Sequence, residues 1–161
     1  MAVLDPIEIN NTVFEPVLSH RFLMYVDGIP SYMIKAVNGL SFTDSEVIID
    51  HINTYIKVRA KRRYNDLVLS LYDPVTPSGA QAVTAWTNTQ YQRPTGVAGY
   101  ATDYWKDISM VVIGPPGDIV REWICKKQYV KEASFGEYDW STEVYTTMQL
   151  TLGGSGFDLS F

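Results

Sequence analysis

Between Glu143 and Leu152 the chain alternates without a break. Val144, Thr146, Met148, Leu150 and Leu152 share one face of an extended strand, and Glu143, Tyr145, Thr147, Gln149 and Thr151 the other. Two further strands precede it. Trp105 to Ile113 is rich in β-branched residues and runs into Gly114-Pro115-Pro116-Gly117-Asp118, whose composition makes a turn. Ile119 to Val130 returns from that turn with Trp123 and Tyr129, and it places apolar and charged residues on both faces. The linker Gly136-Glu-Tyr-Asp-Trp-Ser141 then leads into the alternating strand.

Upstream, Arg21 to Val26 alternates with Phe22, Met24 and Val26 on one face, and Asp27-Gly28 is a short hairpin signal. Tyr32 to Val37 follows with Pro30 at its start, so a β-hairpin is expected here. Leu67, Leu69 and Leu71 alternate against Asp66, Val68 and Ser70 in another half-buried strand, ended by Asp73-Pro74. One helix is expected after it, capped either by Ser78 with Gln81 at the third position or by Thr76 ahead of Pro77. Ala82, Val83, Ala85 and Trp86 give it an apolar stripe, and Arg93-Pro94 bounds its end. A single helix must lie on a sheet, which makes Trp86 a core anchor. Thr95 to Asp103 reads as a flexible connector. The expected fold is mainly β: an antiparallel sandwich or partial barrel with one packed helix, in a single domain over residues 1–161.

Ser41 to Tyr64 is the segment that such a fold does not need. Val47-Ile-Ile49 and Tyr55-Ile-Lys-Val58 read as the arms of a hairpin with its tip near Ile52-Asn53-Thr54. Asp44, Glu46 and Asp50 come first, and Lys57, Arg59, Lys61, Arg62 and Arg63 follow. An acidic flank and a basic flank suit a contact with a neighbouring copy of the chain, and equally a solvated hairpin. A nucleic-acid patch fits less well, because the whole chain carries a net charge of −5. At either end, residues 1–18 form an extended arm with apolar points at Leu4, Ile7, Ile9, Val13, Phe14 and Leu18. Gly153-Gly-Ser-Gly156 resembles a linker to a tail carrying Phe157, Leu159 and Phe161, either docked or frayed.

Aromatic residues make up 13% of the chain, which suits strands and interfaces alike. The lone cysteine, Cys125, allows no internal disulfide and is expected to be a buried thiol. His20 and His51 have no neighbours at metal-ligand spacing, and no P-loop, nucleophile elbow or zinc-protease pattern occurs. Catalytic, cofactor-binding and metal residues are therefore not expected. No apolar run reaches the ~20 residues of a membrane span, and the acidic start lacks the basic end of a signal peptide.

From residue 18 to residue 152, the order of these elements resembles that of the tail tube proteins of contractile-tailed bacteriophages. The resemblance rests on "RFLMYVDGIPSYMIKAVNGL", the long charged segment, one tryptophan-bearing helix, a Gly/Tyr loop, "IVREWICKKQYV", "EYDWS" and the terminal alternating strand. It implies a structural subunit of hexameric rings, whose sheets join edge to edge into one continuous β-barrel. Rings would stack into a hollow tube in the virion tail, assembled in the host cytoplasm. Its implied partners are sheath protein, tape-measure protein, baseplate and tail terminator proteins, with DNA passing through the lumen. It also implies that the 41–64 hairpin bridges stacked rings, with Ile52, Tyr55, Lys57 and Arg59 as contact residues and Glu122 as a lumen-facing carboxylate. The tube of a type VI secretion or other contractile injection system is an alternative. So is a small β-barrel enzyme or ligand-binding module, which would be a monomer or dimer with a concave pocket.

Overall fold

In a computed structural model describing residues 15–160, one long strand, β9 (Ile119–Ser134), joins two halves of a curled sheet. Along one edge it pairs with β8 (Lys106–Ile113). Along the other it pairs first with β11 (Gly156–Leu159) and then with β10 (Thr147–Gly153). β1 (Phe22–Tyr25) flanks β8, β5 (Leu67–Tyr72) flanks β10, and β2 (Ile34–Asn38) flanks β5. The path β1-β8-β9-β10-β5-β2 is antiparallel throughout and ends on two different edge strands.

The strand that had apolar residues on both faces is explained by two of its three bulges, the remaining one lying near its start, where Arg121 pairs with Val112 but Ile119 with Ile113. β9 carries an extra residue opposite β8 between Cys125 and Gln128, where Lys127 has a φ of 52°. It carries another opposite β10 between Val130 and Glu132. Each bulge shifts the inward face by one position. Trp123 and Cys125 pack on the core before the first bulge, and Gln128 and Val130 point inward after it. Lys127 N–H, released from the ladder, donates to Asp107 Oδ1 at 2.9 Å.

The core is continuous across the two halves. Leu67, Leu69 and Leu71 face Met148, Leu150 and Leu152 across the β5–β10 ladder, and Ile108, Met110 and Met24 close it from the other half. The helix α1 (Gly79–Gln90) lies over this core through Val83 and Trp86. Ser78 is its cap, accepting from Gln81 N–H at 3.4 Å, so the Thr76 alternative does not hold. Trp86 is 2% exposed and its indole N–H donates to the carbonyl of Tyr104 at 2.9 Å. With its side-chain oxygen and nitrogen exchanged, the assignment its neighbours require, the Gln90 amide at the end of α1 accepts from Val130 N–H (2.8 Å) and donates to Val130 C=O (3.1 Å), continuing the β9 ladder where β8 stops.

Four expectations are corrected. Asp27-Gly28 does turn, with Ile29 N–H donating to Val26 C=O, but the strands beside it do not form a hairpin. Pro30 opens a 3-10 turn at Ser31–Met33, whose buried Met33 carries the chain across the core to the opposite edge of the sheet. The terminal strand begins at Thr147 rather than Glu143, because β5 offers no partner beyond Tyr72. Val144, read as inward, is 72% exposed. The connector before β8 holds a second short helix, α2 (Ala101–Tyr104), and a two-residue ladder between β6 (Tyr91–Gln92) and β7 (Val97–Ala98).

The glycine-rich stretch is not a loose linker either. Gly153 ends β10, and Gly156 opens β11, which continues along the same edge of β9 and docks the tail on its own body. A side chain on Gly156 would meet the ring of Tyr64, so the bare backbone lets that ring stack there. The arm's apolar points Leu4, Ile7, Ile9, Val13 and Phe14, and Phe161 of the tail, lie outside the described residues; Leu18 is exposed.

Candidate assembly interface

Among the described residues β3 (Phe42–His51) and β4 (Thr54–Tyr64) pair with each other and with no other strand, forming a hairpin that stands off the body. Its root is held by aromatic contacts. Phe42 meets Tyr64 at 6.2 Å, Tyr64 meets Phe157 at 5.0 Å, and Phe157 meets Trp123 at 5.6 Å, all edge to face.

The register sorts the hairpin into two unlike faces. The turn has two residues, Ile52 and Asn53, not three, so His51 pairs with Thr54 and Val47 with Val58. Directly opposed residues share a face. Val47, Ile49, Ile56 and Val58 therefore make one apolar patch, and Glu46, Ile48, Asp50, Tyr55, Lys57 and Arg59 make the other face. All four members of the patch are roughly half exposed, and Ile52 at the tip is fully so. A lone two-stranded hairpin is marginal in water, and an uncovered apolar face is the mark of an interaction site.

The charges on the other face are satisfied largely within the hairpin. Arg62 makes a two-pronged pair with Asp44 at 2.7 and 2.9 Å, Arg59 reaches the same carboxylate at 3.1 Å, and Lys57 meets Glu46 at 2.9 Å. The Arg62 guanidinium also lies 3.7 Å from the centre of the Phe42 ring. The acidic and basic flanks thus meet each other first. Lys61 and Arg63 have no acidic partner among the described residues.

The hydrogen bond from Arg62 holds the Asp44 carboxyl below its ordinary value of 3.8, with the charges of Arg59 and Arg62 adding to it and burial opposing it. Because the folded value is the lower one, this pair contributes fully above that ordinary value and is lost as pH falls through the folded one. In an NMR titration, hairpin amides should hold their positions down to the ordinary aspartate range and move together below it. Asp44→Asn should remove that step; its persistence would assign it to another acid.

The residues singled out in the sequence fall in different places. Tyr55, Lys57 and Arg59 lie on the charged face and Ile52 at the tip, so the hairpin does bring them together. The apolar patch escaped sequence reasoning because a run such as Val47-Ile-Ile49 does not reveal which member faces which way. The turn length was the missing signal. Glu122 lies part-buried on the face of the β1–β8–β9 half away from the core cluster, accepting from the Ser109 hydroxyl at 2.7 Å beside the buried Val111 and near Leu23. Cys125 is buried at 1% exposure, and burial pushes its thiol up to about 11. Among the described residues no cluster of His, Cys, Asp and Glu could hold a metal ion.

An antiparallel sheet with one packed helix and a projecting hairpin is a fold shared with chains of contractile injection systems. The chain is similar to one in the cryo-EM structure of the anti-feeding prophage cap, a tube terminating cap, at 16% identity over 92% of this chain and 93% of that one, with a TM-score of 0.76. It is similar to a chain of the PVC sheath-tube complex in the extended state, an extracellular contractile injection system, at 15% identity, 98% and 99% coverage and a TM-score of 0.72. Hcp1 from Flavobacterium johnsoniae matches at 14% identity, 86% and 94% coverage and a TM-score of 0.52. At these identities the likeness is one of fold. No protein-family model matches the sequence, and no curated protein does.

Proposed function

We propose that this protein is the structural subunit of a contractile tail tube, acting by assembly rather than catalysis. The observation that carries the reading is the β3–β4 hairpin, whose apolar patch is left uncovered among the described residues. The fold neighbours support it, since they come from tube, sheath-tube and terminator assemblies. Subunits join laterally through the free edges of β1 and β2 into hexameric rings, which closes the sheets into a continuous barrel and removes exposed edges. The hairpin bridges one ring to the next, and heterologous contacts of this kind propagate a filament.

The lumen wall fits the outer face of β5 and β10 better than the face carrying Glu122. That face presents Ser70, Gln149, Thr147 and Thr151, with Glu132 opposite Thr151 and the single base Lys35 over the ring of Tyr72, a wall with little charge for a passing polyanion to grip, whereas Glu122 sits among Leu23, Val111 and Ile124. The proposed context is a phage virion tail, assembled in the host cytoplasm, with sheath, tape-measure, baseplate and terminator proteins as partners and DNA as cargo. Tubes of other contractile injection systems share the architecture with a different cargo.

Negative-stain electron microscopy of the purified protein over a concentration series tests this. Rings and hollow filaments of uniform width are expected, and a strictly monomeric species at high concentration overturns the proposal. A second reading, a terminator that caps a tube, is favoured by the TM-score of 0.76 to two terminator structures. It predicts single rings that never stack.

A further inference from the structure

We propose that the loop 135–146 of one subunit is the receptor for the β3–β4 hairpin of the next. The inference rests on the tube reading and names the partner of the hairpin within it. Its first support is position. The hairpin leaves the sheet after Asn38 and returns before Leu67, at the end of the ladder where Asn38 pairs with Val68 and Leu67 with Leu152. The loop enters β10 at Thr147, which pairs with Tyr72 at the opposite end of the same ladder. One subunit therefore carries the two features at opposite ends of one sheet, the arrangement a head-to-tail contact requires.

The second support is chemistry. The loop borders a wide-open hollow of about 690 Å³ lined by Tyr138, Trp140, Val144 and Tyr145 among others. Trp140 is wholly exposed, and Tyr138, Val144 and Tyr145 are mostly so. Such a density of uncovered aromatic surface is what the centre of a protein interface is built from. The loop holds the acids Glu137, Asp139 and Glu143 and no lysine or arginine. The hairpin offers the complement: the patch of Val47, Ile49, Ile56 and Val58, the exposed Ile52, and an excess of bases that leaves Lys61 and Arg63 unmatched among the described residues.

The third support is rigidity. Asp139 accepts from both the backbone N–H (2.9 Å) and the hydroxyl (2.8 Å) of Ser141, making a fixed turn with Trp140 at its apex. Lys35 ties down the other side, donating to the Tyr145 hydroxyl at 3.2 Å and lying over its ring at 5.2 Å. A preformed hollow costs less to fill than a mobile loop.

The test is a pair of single-cysteine chains, Ile52→Cys and Trp140→Cys, on the otherwise inert Cys125 background. Mixed and oxidised under assembly conditions, they should give covalent dimers joined at 52 and 140, and neither chain alone should do so. Reversing the loop charge with Glu137→Lys and Glu143→Lys should weaken stacking. Filaments of the mixed cysteine chains that form without any 52–140 dimer, or filaments that tolerate the loop reversal, overturn this pairing while the tube reading stands. A wild-type chain that stays single at every concentration overturns both. A loop captured by a sheath-type protein, with the hairpin bound elsewhere, also overturns the pairing.

Discussion

A chain carrying Val47→Thr, Ile49→Thr, Ile56→Thr and Val58→Thr together should remain folded and lose the ability to stack. Threonine keeps the β-branched shape and strand preference of the residues it replaces, so the hairpin retains its backbone pairing. Only the apolar character of one face disappears. These positions touch no core residue, so the melting temperature of the isolated subunit should move by no more than a degree or two. Each side chain withdrawn from an interface forfeits on the order of 1 kcal/mol of buried apolar surface. Four of them, repeated at every contact around a ring, should shift the equilibrium from filaments to single rings by many orders of magnitude. Sedimentation velocity would read the difference directly. Stacks persisting at wild-type concentration would mean that the patch does not carry the contact.

The largest expected effect on the subunit itself is at Trp86. Trp86→Ala should cost roughly 3–5 kcal/mol, the range for removing a buried aromatic, against a total stability for a domain of this size of about 5–15 kcal/mol. The loss has three parts. The ring leaves a void between α1 and the sheet, the carbonyl of Tyr104 loses its donor, and Lys106, whose ammonium lies 4.9 Å from the ring centre, loses that contact. Trp86→Phe separates them, because it keeps most of the ring and removes the N–H. It should cost about 1–3 kcal/mol. Urea denaturation followed by far-ultraviolet circular dichroism gives both values, and equal costs for the two variants would show that the hydrogen bond rather than the packing matters.

What the sequence revealed follows from the range over which each signal acts. Leu67, Leu69 and Leu71 announce their strand because the pattern is local and one face is fully buried. Ser78 and Trp86 do the same for the helix, one through its cap and the other through its place on the apolar stripe. The partner of a strand is a different matter. Asp27-Gly28 is a sound turn signal, yet whether the next strand folds back depends on Met33 and Ile34 finding the core further along. The bulges of β9 leave no mark that a period of two can detect, since a bulge looks like polar residues in the wrong place. The hairpin was visible as an outlier in charge. Its working face was not, because one residue of turn length decides which side chains lie together.

The sheet path has two ends, β1 and β2, while β9 is occupied on both of its sides by the subunit's own strands. If β1 and β2 pair between neighbours and the hairpin of one copy fills the loop of the next, the subunit has the valence of a four-connected unit: two bonds in the plane and two along the axis. A building block of valence two gives threads or loops, and one of valence three branches into a gel. Four bonds arranged as opposed pairs give a sheet of repeating cells, and a curled cell bends that sheet until its margins meet. On this reading a hollow cylinder is encoded in how the strands leave their edges free, with no template required to set its shape.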